Sequence, residues 1–151
     1  MIQGQSVELR DRGVQEKLRQ ARVGHLATAG PQGDPLVVPV CFASNGRAIF
    51  TPIDRKPKRS PPERLERVRH IRANPRVALV IDHYQEDWSR LWFILIRGRA
   101  SLVSFKQSRE HREAQALLRQ KYPQYRAGML PPRAPIIRII PGRITLWGKM
   151  K

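Results

Sequence analysis

Apolar residues near the start of the chain recur at helical spacing. Val14, Leu18 and Ala21 stand four and three apart, which predicts a first helix over Glu8 to Ala21. Gly13 costs that helix about 1 kcal/mol relative to alanine, which favours a start after it. From Val23 the period falls to two. Val23, His25 and Ala27 alternate against Gly24, Leu26 and Thr28, the pattern of a strand. Turn-forming residues fill Ala29 to Pro35, and the apolar run Leu36 to Ala43 reads as the return strand of a hairpin. Pro39 confines that strand to a sheet edge or a bulge. Asn45-Gly46, two residues that tolerate the positive φ of a type I′ turn, leads into a third strand, Ala48 to Ile53.

A basic, proline-stiffened loop, Asp54 to Pro62, precedes a helix predicted over Pro61 to Ala73. Ser60 and Glu63 have capping-box spacing, Leu65, Val68 and Ile71 form an apolar stripe, and Asn74-Pro75 ends the helix. Strand character returns at Val77 to Ile81. A polar turn, Asp82 to Arg90, separates it from a long strand over Leu91 to Val103, where Gly98 predicts a bulge or bend. Ser108 to Lys121 reads as a helix with Ala114, Leu117 and Leu118 inward. Tyr122 to Pro135 reads as an irregular loop with four prolines, and strands at Ile136 to Ile140 and Arg143 to Trp147 flank a turn at Pro141-Gly142. Six or seven strands with about three helices over residues 1–151 predict a single domain, mostly β with α, built as a small antiparallel barrel.

Composition adds one anomaly to an otherwise ordinary globular profile of 40% hydrophobic and 27% charged residues. Lys and Arg number 29 against 12 Asp and Glu, a formal charge of +17. The lone cysteine, Cys41, excludes a disulfide scaffold. No apolar run reaches the roughly 18 residues of a membrane span, and the N-terminus alternates charge rather than resembling a leader, so a cytoplasmic protein is expected. The charge concentrates in Asp54 to Arg76, where nine basic residues face three acidic ones, a net of +6. The loop within it ends at a helix start, where free backbone N–H groups and the helix dipole favour an anion, so phosphate binding is the functional reading. Its arginines also read as a solvated helix face. Nucleic acid competes for the same charge, but the segment contains no Phe, Tyr or Trp to stack bases, and non-specific attraction at low salt is what remains. His25, His70, His83 and His111 show no metal-ligand spacing and no catalytic triad is legible. His83 is singled out beside the turn at Asp82 to Arg90. Trp88, Trp92 and Trp147 read as core or interface aromatics.

Several segments in order then carry a resemblance: Val23-Gly24-His25-Leu26-Ala27-Thr28, Val37-Val38-Pro39-Val40, Phe50-Thr51, Lys56-Pro57-Lys58-Arg59, Ala73-Asn74-Pro75-Arg76-Val77 and Asp87-Trp88-Ser89. Together they resemble the pyridoxamine 5′-phosphate oxidase-like flavin-binding split barrels, and within them the group described as coenzyme F-420-dependent enzymes. The resemblance runs from Val14 to the C-terminus. It implies a homodimer of split β-barrels with the cofactor at the interface, and an oxidoreductase that moves a hydride between F-420 or FMN and a small organic substrate. It also implies that the cofactor ring lies against Val38, Pro39, Val40, Phe50 and Thr51. The phosphate falls to Thr51, Lys56, Lys58 and Arg59, with Arg67 on the following helix, and Trp88 and Ser89 border the site from the second subunit. Hydride chemistry belongs to the cofactor ring, so the protein needs no acid–base dyad. A polyglutamate tail on F-420 would suit the basic surface. A non-enzymatic flavin or haem carrier, or a basic nucleic-acid-binding barrel, is the alternative.

Overall fold

A computed structural model describes residues 4–54 and 65–148. The strands are β1 (Gln5–Val7), β2 (Gly24–Ala29), β3 (Pro35–Val40), β4 (Ala43–Ser44), β5 (Ile49–Pro52), β6 (Arg76–His83), β7 (Trp92–Val103) and β8 (Ile136–Gly148). The helices are α1 (Arg12–Gln20), α2 (Glu66–Ala73) and α3 (Ser108–Lys121), with a short 3-10 turn at Trp88–Arg90 and a π-helical turn at Tyr125–Met129. All pairings are antiparallel. The sheet runs β3-β2-β6-β7-β8-β5-β4, with β1 added on β8, and curls into a half-barrel.

The predicted period of two buries one side of β2. Gly24, Leu26 and Thr28 are inside, while His25 is exposed. Pro39 lies on β3, which is an edge of the sheet and so loses no ladder partner on its outer side. The main core gathers Leu26, Leu79, Ile81, Ile94, Ile96 and Ile139 from the sheet against Val14 and Leu18 of α1 and Ile71 of α2. A second core sets Phe50 of β5 against Ala114, Leu118, Tyr122, Tyr125 and Leu130, from α3 and the segment after it. Alternation along β5 therefore divides its side chains, with Ile49 in the first core and Phe50 in the second.

Four expectations are corrected. First, β8 is continuous from Ile136 to Gly148, and Pro141-Gly142 lies within it rather than turning the chain. The irregularity is a register shift in which Arg97 stands opposite Arg143 and Gly98 opposite Pro141, so the extra residue of the bulge, Gly142, is carried by β8. A side chain at Gly98 would collide with the Ile140 carbonyl oxygen, so the glycine permits that close approach. Second, the Asn45-Gly46 turn is not type I′, because among the described residues only glycines have positive φ, and here that residue is Gly46 at 87°. The Asn45 side-chain oxygen instead accepts from the N–H groups of Arg47 (2.9 Å) and Ala48 (2.8 Å), closing a four-residue loop. Third, the return strand of the first hairpin ends at Val40, and β4 is a separate two-residue strand. Fourth, Tyr122 to Pro135 is ordered by the turn at Tyr125–Met129, where Gly128 takes φ of 98° and Tyr125 is buried. Strand β1 has no periodic signal in the sequence. The helix predicted over Pro61 to Ala73 is described from Glu66, and the Ser60–Glu63 capping box lies outside the described residues.

Candidate functional site

The polar centre of the molecule forms where β5 ends and α2 begins. Asp54 follows the last residues of β5 and is 7% exposed. Its carboxylate accepts a 2.6 Å hydrogen bond from the hydroxyl of Tyr125, a residue 71 positions away. Arg67, in the first turn of α2, sits in the field of both groups. Burial works against its charge, and the Asp54 carboxylate and Tyr125 oppose that loss. Burial and the bond to Asp54 push the Tyr125 hydroxyl well above the usual tyrosine range, so it stays a proton donor. Its ring lies 5.3 Å from that of Tyr122, whose hydroxyl accepts from the Phe42 N–H (3.0 Å) and is 3.0 Å from the Arg22 carbonyl. Next to it, Lys121 donates to the Leu18 carbonyl at 2.7 Å with its ammonium 3.8 Å from the Phe42 ring centroid. Burial, and then repulsion from Arg22, lower its pKa to about 7.

Two buried polar atoms here lack a hydrogen-bond partner: Thr51 Oγ1 and Arg67 Nε. Leaving such a group unpaired costs about 1–3 kcal/mol, and more when it is charged. An oxyanion that reached either atom would recover that cost. Thr51 lies between Phe50 and Pro52 on β5 and is 1% exposed, so it opens to a ligand only through its surroundings at the end of that strand.

The other residues expected at the site are placed as follows. Val38 packs partly buried against the main core, Pro39 is exposed and Val40 is buried. Phe50 is 1% exposed inside the second core, so its ring is packing rather than an open surface. Lys56, Lys58 and Arg59 lie outside the described residues. Trp88 is 70% exposed. The Ser89 hydroxyl donates to Asp87 Oδ1 at 2.7 Å, and this bond holds the Asp87 carboxyl below its usual range. Ser89 lines a cleft of about 640 Å³ with Lys17, His83, Arg90 and Trp92. Within the cleft the Lys17 ammonium sits 4.5 Å over the Trp92 ring, which also stacks on His83 at 6.1 Å. Val38, Pro39, Val40, Thr51 and Arg67 do not line that cleft. Ser89 thus stands apart from the residues expected to touch the cofactor ring and phosphate.

The sequence reading missed Asp54, Tyr125 and Lys121. No local pattern could have paired residues so distant along the chain. His70, which the sequence offers only as an ordinary residue, has Glu66 four residues before it on the same helix face.

The sequence model of the pyridoxamine 5′-phosphate oxidase family matches residues 11–148. No curated protein matches the chain in sequence. Among solved structures, a conserved hypothetical protein from Mycobacterium tuberculosis superposes with a TM-score of 0.73 at 20% identity, covering 98% of this chain and 90% of that one. The haem storage protein HutZ from Vibrio cholerae gives 0.70 at 19% identity, covering 95% and 96%. An FAD-binding protein from Mesorhizobium loti gives 0.64 at 21% identity, covering 96% and 97%. At these identities the likeness is one of fold.

Proposed function

The chain belongs to the pyridoxamine 5′-phosphate oxidase family, and from that premise we propose that it is an oxidoreductase that binds FMN or the deazaflavin coenzyme F-420 and passes a hydride to or from a small organic substrate. The observation that carries the reading is the half-buried Arg67, whose Nε is itself buried. It stands at the start of α2 with Nε unpartnered and follows directly on the basic loop of Lys56, Lys58 and Arg59. A planar guanidinium suits a phosphate, because it offers paired donors in fixed geometry, and a half-buried one gives charge-assisted bonds little weakened by water.

When bound, the cofactor ring supplies the hydride chemistry. The protein's residues then bind, orient and exclude water. Arg67 and the loop lysines hold the phosphate, and Asp54 with Tyr125 fixes the orientation of Arg67 from behind. Pro39, exposed on edge strand β3 between Val38 and Val40, offers an apolar contact to the ring. Ser89 lines a cleft that none of Val38, Pro39, Val40, Thr51 and Arg67 lines, and Trp88 beside it is exposed, so on this reading the second copy of a homodimer brings them to the cofactor. The exposed Trp88 and Tyr84, linked by a 3.5 Å contact from the indole N–H to the hydroxyl, would be the surface that crosses to the partner. The surplus basic charge would suit the acidic tail of F-420 and tilts the choice towards the deazaflavin. The substrate is a small organic molecule bound beside the ring.

Absorbance or fluorescence titration with each cofactor tests the reading. Lys56→Ala, Lys58→Ala and Arg67→Lys should each weaken binding by about 1.5–3 kcal/mol, the range for a charged hydrogen bond. Unchanged affinity in all three would refute the phosphate assignment. Tight binding of a flavin or haem without turnover of any hydride acceptor would favour the carrier.

A further inference from the structure

At the far side of α2, three electron-pair donors converge on one point. His70, 4% exposed, directs Nε2 at Asp34 Oδ2, 3.2 Å away, and at Glu66 Oε1, 3.6 Å away. One donor atom from each residue lies within 4.8 Å of the other two. Behind the ring, Nδ1 is 2.9 Å from the hydroxyl of Thr28, itself 4% exposed. With Nδ1–H donating to Thr28, Nε2 faces two carboxylates with a lone pair, and carboxylates have no proton to give. In that tautomer Nε2 can ligate a cation held between the two carboxylates.

Room for Asp34 is built into the preceding turn. A Cβ at Gly30 would overlap the Asp34 carboxylate as it stands, so the glycine leaves room for this placement of the side chain. The turn is closed by hydrogen bonds from Gly30 N–H to Asp34 O (2.9 Å) and from Gly33 N–H to Gly30 O (3.0 Å), which set Asp34 over the helix.

We propose that Asp34, Glu66 and His70 bind a first-row divalent metal ion of the Zn²⁺ class. Oxygen and nitrogen ligands about 2.0–2.2 Å from such an ion stand about 3–3.6 Å from each other, which matches the separations from His70. One imidazole with two carboxylates favours these ions over Mg²⁺ and Ca²⁺, and two carboxylates neutralise the charge of the ion. The ring orientation comes from Thr28, which acts on the far nitrogen as the supporting group of a metal-bound histidine does. Three protein ligands leave a fourth position for water. The ion would fasten the β2–β3 turn to α2, the helix that carries Arg67.

Calorimetric titration of the untagged, cofactor-free protein with Zn²⁺ tests this, with Co²⁺ as a second probe read by its visible absorption. One ion should bind per chain and raise the melting temperature. Asp34→Asn and Glu66→Gln change exposed side chains and should leave the circular dichroism unaltered while weakening Zn²⁺ binding at least tenfold. Thr28→Val should weaken it about 10- to 100-fold. No binding at micromolar Zn²⁺ would overturn the site. So would binding that the Asp34→Asn, Glu66→Gln double variant leaves undiminished, since the ion would then sit elsewhere.

Discussion

Lys121 makes the stability of this protein depend on pH in a way that one substitution should abolish. In the unfolded chain its amine has a pKa of about 10.5, and in the folded protein burial lowers it to about 7. Below pH 7 both states are protonated, and the folded state bears the full cost of a desolvated ammonium. Between pH 7 and 10.5 the folded lysine is neutral while the unfolded one remains charged. The unfolded state then binds more protons, so stability rises with pH across that window. At about 1.36 kcal/mol for each pH unit the full interval would be worth close to ~5 kcal/mol. The ammonium is partly solvated and lies over the Phe42 ring, which reduces the expected gain to about 2–3 kcal/mol. Lys121→Met keeps the unbranched stem and removes the charge together with the 2.7 Å bond to the Leu18 carbonyl. Urea unfolding of both proteins at intervals from pH 6 to 10 measures the effect. The difference between the two profiles cancels the other titrating groups, so the wild type should gain on the variant as pH rises. Parallel profiles would refute the reasoning, since they would mean that Lys121 remains charged in the folded protein.

Tyr125→Phe removes a donor from the buried Asp54 carboxylate and should lower stability by about 1.5–3 kcal/mol in urea unfolding, because the hydrogen bond is to a charged group. It should also weaken cofactor binding through Arg67, without touching the ligand. Gly98→Ala forces apart β7 and β8 where the Ile140 carbonyl approaches, and should cost about 1–3 kcal/mol, read as a lower urea midpoint at unchanged slope.

Periodicity made the meander legible. Leu26 and Thr28 alternate with His25 strictly enough to fix which face of β2 is buried, and Val14 and Leu18 do the same for α1. The sequence failed where the third dimension decides. Pro141-Gly142 looks like a turn because proline usually breaks a ladder. Here β8 absorbs the irregularity as a bulge at Gly142, facing Arg97 and Gly98, and continues through it. Asn45-Gly46 was legible as a turn but its type was not, because the Asn45 side-chain oxygen takes the Arg47 and Ala48 N–H groups while its own backbone N–H bonds the Ala48 carbonyl. At the site, Arg67 and Thr51 could be named from order and spacing, while Asp54 and Tyr125 could not. Their bond spans 71 residues and exists only because the turn at Tyr125–Met129 folds back onto the end of β5. The charge of +17 was visible from the start, yet its purpose depends on which residues share a surface. Among the described residues no helix is long and apolar enough to cross a membrane, so none of the helices ties this charge to a bilayer by spanning it.

A native mass spectrum of the protein with F-420 and with FMN tests the central claim most directly, because it reports cofactor and assembly together. The account predicts a dimer that retains one cofactor per chain, with F-420 held more tightly than FMN and both reduced in the Arg67→Lys variant. A monomer that retains neither cofactor would contradict it.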